Sequence, residues 1–77
     1  MLKIKDDVDL KELEKFGLKY VEEGKGNPEM YEWIRETTDK FDYVDVYIWN
    51  RKINVSDAND VLYDLIKAGL VEKVDDK

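Results

Sequence analysis

Tyr43-Val44-Asp45-Val46-Tyr47-Ile48-Trp49 is the stretch on which the fold turns. Val44, Val46 and Ile48 alternate with Tyr43, Asp45, Tyr47 and Trp49, the two-residue period of a half-buried strand. If Asn50-Arg51 form a two-residue turn, Trp49 faces Lys52, Ile48 faces Ile53 and Val46 faces Val55, so the apolar residues of both arms share one face. Upstream, Met30–Thr38 fits two periods. Asn27 as cap, Pro28 at the first helical position and Met30, Trp33, Ile34 and Phe41 at helical spacing suit a helix, whereas Tyr31/Trp33 against Met30/Ile34 suits a strand. The β-branched pair Thr37-Thr38 and the turn-like Asp39-Lys40 favour a hairpin arm.

Two helices are expected outside this hairpin. Asp9 is placed to cap residues 10–16, with Glu12 reaching back to it and Val8 stapled to Leu13; Leu10, Leu13 and Phe16 or Leu18 face inward. Gly17 stands where a left-handed closing residue is needed, and Leu18 can fold back over Leu13. Ser56 through Leu70 reads as the second helix, capped by Ser56 or Asp57, with Ala58, Val61, Leu62, Leu65 and Ile66 as its apolar stripe. Gly69 closes it and Leu70 returns onto Leu65. Gly24-Lys25-Gly26-Asn27-Pro28 is a plain turn rather than a phosphate-cradling loop, because it lacks the remaining glycine and the Ser/Thr. Val71–Val74 is a short extended piece able to pair with a sheet edge, and Asp75-Asp76-Lys77 should fray. The expectation is a single α+β domain over 1–77: a short N-terminal helix, a three- to four-stranded antiparallel sheet, and a C-terminal helix packed across the sheet through Val61, Leu62, Leu65 and Ile66.

Composition limits what such a domain can do. With 77 residues there is room for one core, and 43% hydrophobic against 42% charged residues is the balance of a folding chain. The chain has no histidine, no cysteine, and Ser56 as its only serine, which excludes Ser-His and Cys-His nucleophiles, the usual zinc sets and a disulfide framework. No metal and no cofactor is expected. Asp39, Asp42 and Asp45 recur every three residues but cannot converge on one ion from a turn and strand, and Asp57-Ala58-Asn59-Asp60 fails as a calcium loop at Val61. The net charge is −6, with residues 27–77 holding twelve acids against seven bases, so nucleic acid and anionic membranes are disfavoured as partners. Acids interrupt the start before an apolar signal stretch can form, and no apolar run approaches the ~20 residues of a membrane span, so a cytoplasmic location is expected. Asn54-Val55-Ser56 matches a glycosylation acceptor, a pattern too short to carry weight.

The feature beyond the needs of folding is aromatic. With residues 30–37 beside 43–49, Tyr31, Trp33, Tyr43, Tyr47 and Trp49 are expected together on the face opposite Val44, Val46 and Ile48, as a surface for a protein partner. If one helix covered each face, the same rings would be ordinary core. The alternative function is an acidic decoy for a host nucleic-acid-binding enzyme, using Asp57, Asp60, Asp64 and Glu72, with Asp75 and Asp76, as a phosphate-like row. An enzyme would require a carboxylate pair of raised pKa inside a cleft. Either binding function suits a monomer or weak homodimer.

Two resemblances bear on this. Leu65-Ile66-Lys67-Ala68-Gly69-Leu70-Val71-Glu72-Lys73-Val74 is similar to the end of a recognition helix in winged-helix DNA-binding domains, but no helix-turn-helix precedes it and Asp57, Asp60 and Asp64 occupy the polar face. Lys5–Gly17, Asn50-Arg51-Lys52-Ile53 and Val61–Val71 together resemble the small uncharacterised proteins of phage and prophage genomes of Gram-positive bacteria. That resemblance implies a bacterial cytoplasm and supplies neither an activity nor site residues.

Overall fold

In the computed structural model, which describes residues 1–74, the strand at the centre is β4 (Phe41–Tyr47). It lies between β3 (Met30–Glu36) and β5 (Ile53–Ser56), and β2 (Lys19–Val21) completes a four-stranded antiparallel sheet in the order β2-β3-β4-β5. β1 (Leu2–Ile4) and β6 (Val71–Lys73) form a separate antiparallel ribbon. A single bridge, Lys3 to Lys52, joins that ribbon to the start of β5. The remaining elements are a 3₁₀ helix (Leu10–Phe16) and one α-helix, α1 (Asn59–Lys67). Strands dominate the domain, which overturns the expected α+β fold: the four-stranded antiparallel sheet falls within the three to four strands expected, but a second two-stranded sheet stands beside it and one α-helix replaces two helices.

The first helix occupies the expected residues in a tighter form, and its spacing explains why. Leu10, Leu13 and Phe16 recur every three residues, so they stack on one face at three residues per turn and would drift apart at 3.6. Asp9 caps it by accepting from the Lys11 N–H at 3.0 Å, while Glu12 pairs with Lys15 at 2.6 Å instead of reaching back. Gly17, at φ 90°, closes it as expected: its N–H donates to Glu14 O, and the Leu18 N–H donates to Leu13 O. The same closure recurs in α1, where the Gly69 N–H meets Ile66 O and the Leu70 N–H meets Leu65 O.

α1 is shorter than the expected 56–70 and does not lie across the sheet. It packs against β5, β6 and the 3₁₀ helix. Ser56 is the last ladder residue of β5, paired with Tyr43, so neither it nor Asp57 caps the helix; Ala58, fully buried, holds the cap position. Asp57 makes the turn at φ 52°, a conformation Asp tolerates better than most side chains. Of the expected stripe, Val61 and Leu65 are buried, Leu62 is half-buried and Ile66 is exposed, because a nine-residue helix at the edge of the core presents little more than one i, i+4 pair to it.

The hairpins set which side chains share a face. Between β3 and β4 the turn is Thr38-Asp39, with Thr37 and Lys40 closing it, and the register pairs Tyr31 with Val46 and Trp33 with Val44. Directly opposed residues lie on the same side, so Tyr31 and Trp33 face the core with Val44 and Val46, not the far side with Tyr43 and Tyr47 as expected. Between β4 and β5 the pairs are Val46 with Ile53 and Val44 with Val55, a shift of two from the expected register. A two-residue shift leaves every face unchanged, so the aliphatic alignment survives. The loop is longer because Arg51, at φ 62°, is held from outside: its Nη1 donates to Lys5 O at 2.8 Å and Val8 O at 2.7 Å, and its carbonyl accepts the Ile4 N–H. Ile48 and Trp49 thus belong to the turn, not the strand.

The core is Ile4, Leu13, Leu18, Tyr31, Val44, Val46, Ile53, Ala58, Val61 and Leu65. Each fully buried aliphatic side chain in it contributes about 1.5–3 kcal/mol. On the sheet, its members occupy one face.

Candidate functional site

The opposite face of the sheet carries Met30, Glu32 and Ile34 from β3 and Phe41, Tyr43, Asp45 and Tyr47 from β4, alternating with the core-facing positions. Val21 and Lys19 of β2 and Asn54 of β5 continue its rows. The 3₁₀ helix and α1 pack with the core on the other side, and Ile34 (51%) and Phe41 (58%) stay exposed. Tyr43 and Tyr47 are half-buried against their neighbours in the sheet.

Of the five aromatic residues expected to form one surface, the structure places Tyr43 and Tyr47 on this open face. Trp49 stands at its end, on the β4–β5 turn, 77% exposed. With Pro28 and Tyr47 it walls a hollow of about 400 Å³. Tyr31 is buried on the other side, where its hydroxyl donates to Glu14 at 3.2 Å. Trp33 packs there against Gly17, where a Cβ would come within 3.2 Å of its ring, and Arg35 lies over it at 5.1 Å.

At the centre of the open face Glu32 and Asp45 stand directly opposite one another on neighbouring strands. Met30 and Ile34 lie two positions either side of Glu32, and Tyr43 and Tyr47 two either side of Asp45, so an apolar and aromatic frame surrounds two carboxyl groups. Burial, and next the hydrogen bond and charge of Glu32, push Asp45 up to about 7. Asp45 is buried, and its Oδ1 has no hydrogen-bond partner. The other charges on this face are Lys19 opposite Glu32, Lys52 beyond Tyr47, and Glu36 near the turn. Among the described residues no lysine or arginine forms an ion pair with Glu32 or Asp45. Sequence reasoning saw Asp45 as one acid among tyrosines; its pairing with Glu32 depends on the β3 register, which no local pattern specifies.

The acidic row does not stand free. Asp57 pairs with Lys40, Asp60 with Arg35 at 3.2 Å, and Glu72 with Lys3 at 3.7 Å, leaving Asp64 without an ion pair among the described residues. Asp75 and Asp76 lie outside the described residues. Arg35 also donates from Nε to Asp42 at 3.0 Å and from Nη2 to the Asp57 carbonyl at 3.3 Å, so these acids fasten the start of α1 to β3 and β4. Its guanidinium holds the Asp60 carboxyl below the usual range.

Among the described residues no group of three or more potential metal-ligating side chains converges, and no helix is long and apolar enough to cross a membrane. Comparison with protein-family models, with curated proteins and with solved structures yields no match.

Proposed function

We propose that this chain is a non-catalytic protein-interaction module of the cytoplasm, binding a protein partner through the uncovered face of its four-stranded sheet. The observation that carries the reading is the one-sided packing: the helices and the aliphatic core lie on one side of β3 and β4, while Ile34, Phe41, Tyr43 and Tyr47, with Trp49 at the end, lie on the other. Tyrosine and tryptophan supply large contact area at low entropic cost, which suits this face to a partner rather than to solvent.

The carboxyl pair does not favour an enzyme. Glu32 and Asp45 stand opposite one another on neighbouring strands of the sheet face, with no histidine, cysteine or metal-ligating group beside them among the described residues. The net charge of −6 argues against nucleic acid and anionic membrane as ligands, and nothing in the binding scheme calls for a cofactor. A monomer or weak homodimer of phage or prophage type remains part of the proposal.

The test is capture from a bacterial lysate by the wild type and by Tyr47→Ala/Trp49→Ala, at low and high salt. A partner held at both salt concentrations and lost by the variant is expected, since loss of one such anchor costs about 2 kcal/mol, roughly thirtyfold in affinity. Retention by the variant overturns the aromatic face, and steep loss with salt points to the acidic decoy instead.

A further inference from the structure

The Glu32–Asp45 pair is unfavourable in the isolated domain: two carboxyls share a site, one is buried, and one of its oxygens lacks a donor. Hydrophobic residues would fill this centre of the frame with no such cost, as they do on the opposite face at Val44 and Val46. A binding site accounts for the expense, because a cation arriving from outside beside half-buried Glu32 supplies the missing charge. Resting on the reading of this face as the contact surface, we propose that Glu32 and Asp45 receive a lysine or arginine side chain from an extended segment of the partner protein, whose neighbouring apolar side chains lie on the surrounding frame.

The occupant is argued from charge and spacing. The domain is acidic overall, which steers a cationic segment toward it. The Met30/Tyr47 row, the Glu32/Asp45 row and the Ile34/Tyr43 row succeed one another every two residues, about 7 Å apart. An extended segment of pattern apolar-x-basic-x-apolar, running along β3 and β4, has the same repeat and sets its middle side chain over the carboxyls. Lys19 and Lys52, at the margins of the same face, do not already fill this role, for neither forms an ion pair with Glu32 or Asp45.

The test titrates the ¹⁵N-labelled full chain at pH 8 and low salt with two peptides, Ac-Leu-Thr-Arg-Thr-Leu-amide and its citrulline counterpart, which keeps the shape and removes the charge. Expected are amide shifts at Glu32, Asp45, Ile34 and Tyr43, with about tenfold tighter binding of the arginine peptide. In Glu32→Gln/Asp45→Asn the two peptides should bind alike while still shifting Ile34 and Tyr43. Equal binding of both peptides to the wild type overturns the cation inference and leaves the face a docking surface. An arginine preference that survives in the double variant also overturns it, by placing recognition elsewhere. Absence of shifts across the face with both peptides overturns the inference together with the reading it rests on.

Discussion

Asp42 and Asp45 lie three residues apart on β4, both buried, and project to opposite faces of the sheet. On the core face Asp42 meets Arg35, whose Nε and Nη2 both reach Oδ2 at 3.0 Å, and the ion pair extends to Asp60 and the start of α1. On the open face Asp45 meets Glu32 and is pushed up to about 7. Each leaves its Oδ1 without a hydrogen-bond partner, but Asp42 is paired with a cation while Asp45 faces a like charge. Burial alone does not distinguish a structural acid from a binding one, whereas the sign of its nearest neighbour does.

Substitutions on the two faces should therefore differ in size and in sign. Leu65→Ala, which empties a fully buried core site, is expected to lower stability by about 2–5 kcal/mol in urea unfolding, whereas Phe41→Ala on the open face should stay within about 0.5 kcal/mol. Comparable losses from the two would mean that the far face is also packed. Next in size, Arg35→Met leaves Asp42 buried without its cation and should lower the urea midpoint, by less than Leu65→Ala because the guanidinium is partly solvated. A neutral result, read by the same unfolding, would make the Arg35–Asp42 pair incidental.

The smallest effect runs the other way. Folded Asp45 binds its proton more tightly, at about 7 against the usual 3.8, so its contribution to stability improves as pH falls from about 7 toward 3.8 and is poorest above 7. Asp45→Asn should raise the thermal midpoint at pH 8, by about 4–8 °C for each kcal/mol recovered, with a gain of about 1 kcal/mol expected and little gain near pH 4. A loss of stability at pH 8 would mean that the Asp45 carboxylate is satisfied after all.

How much of this was readable beforehand varied with how local the cause was. Both glycine closures, with Leu18 on Leu13 and Leu70 on Leu65, were legible because a left-handed residue and its two hydrogen bonds lie within six residues. The strand at 43–47 was legible from its alternation. The helix at 10–16 was legible in extent but not in type, although the threefold spacing of Leu10, Leu13 and Phe16 carried that information. The capping of α1 misled, because Ser56 was already committed to β5 by its pairing with Tyr43. The aromatic face was legible in part: Tyr43 and Tyr47 follow from one strand, while Tyr31 and Trp33 depended on the parity of a turn.

Local sequence determined where this chain turns, where it closes its helices, and which residues of β4 separate to opposite sides, since those follow from backbone geometry over a few positions. Only the tertiary structure decided which strand residues stand opposite one another. A change of one residue in the Thr38-Asp39 turn would have reversed β3 against β4, exchanging Tyr31 and Trp33 for Glu32 and leaving no carboxyl pair. That register is held by contacts far apart in the chain, such as Tyr31 with Glu14 and Arg35 with Asp60, and no short window of sequence contains them.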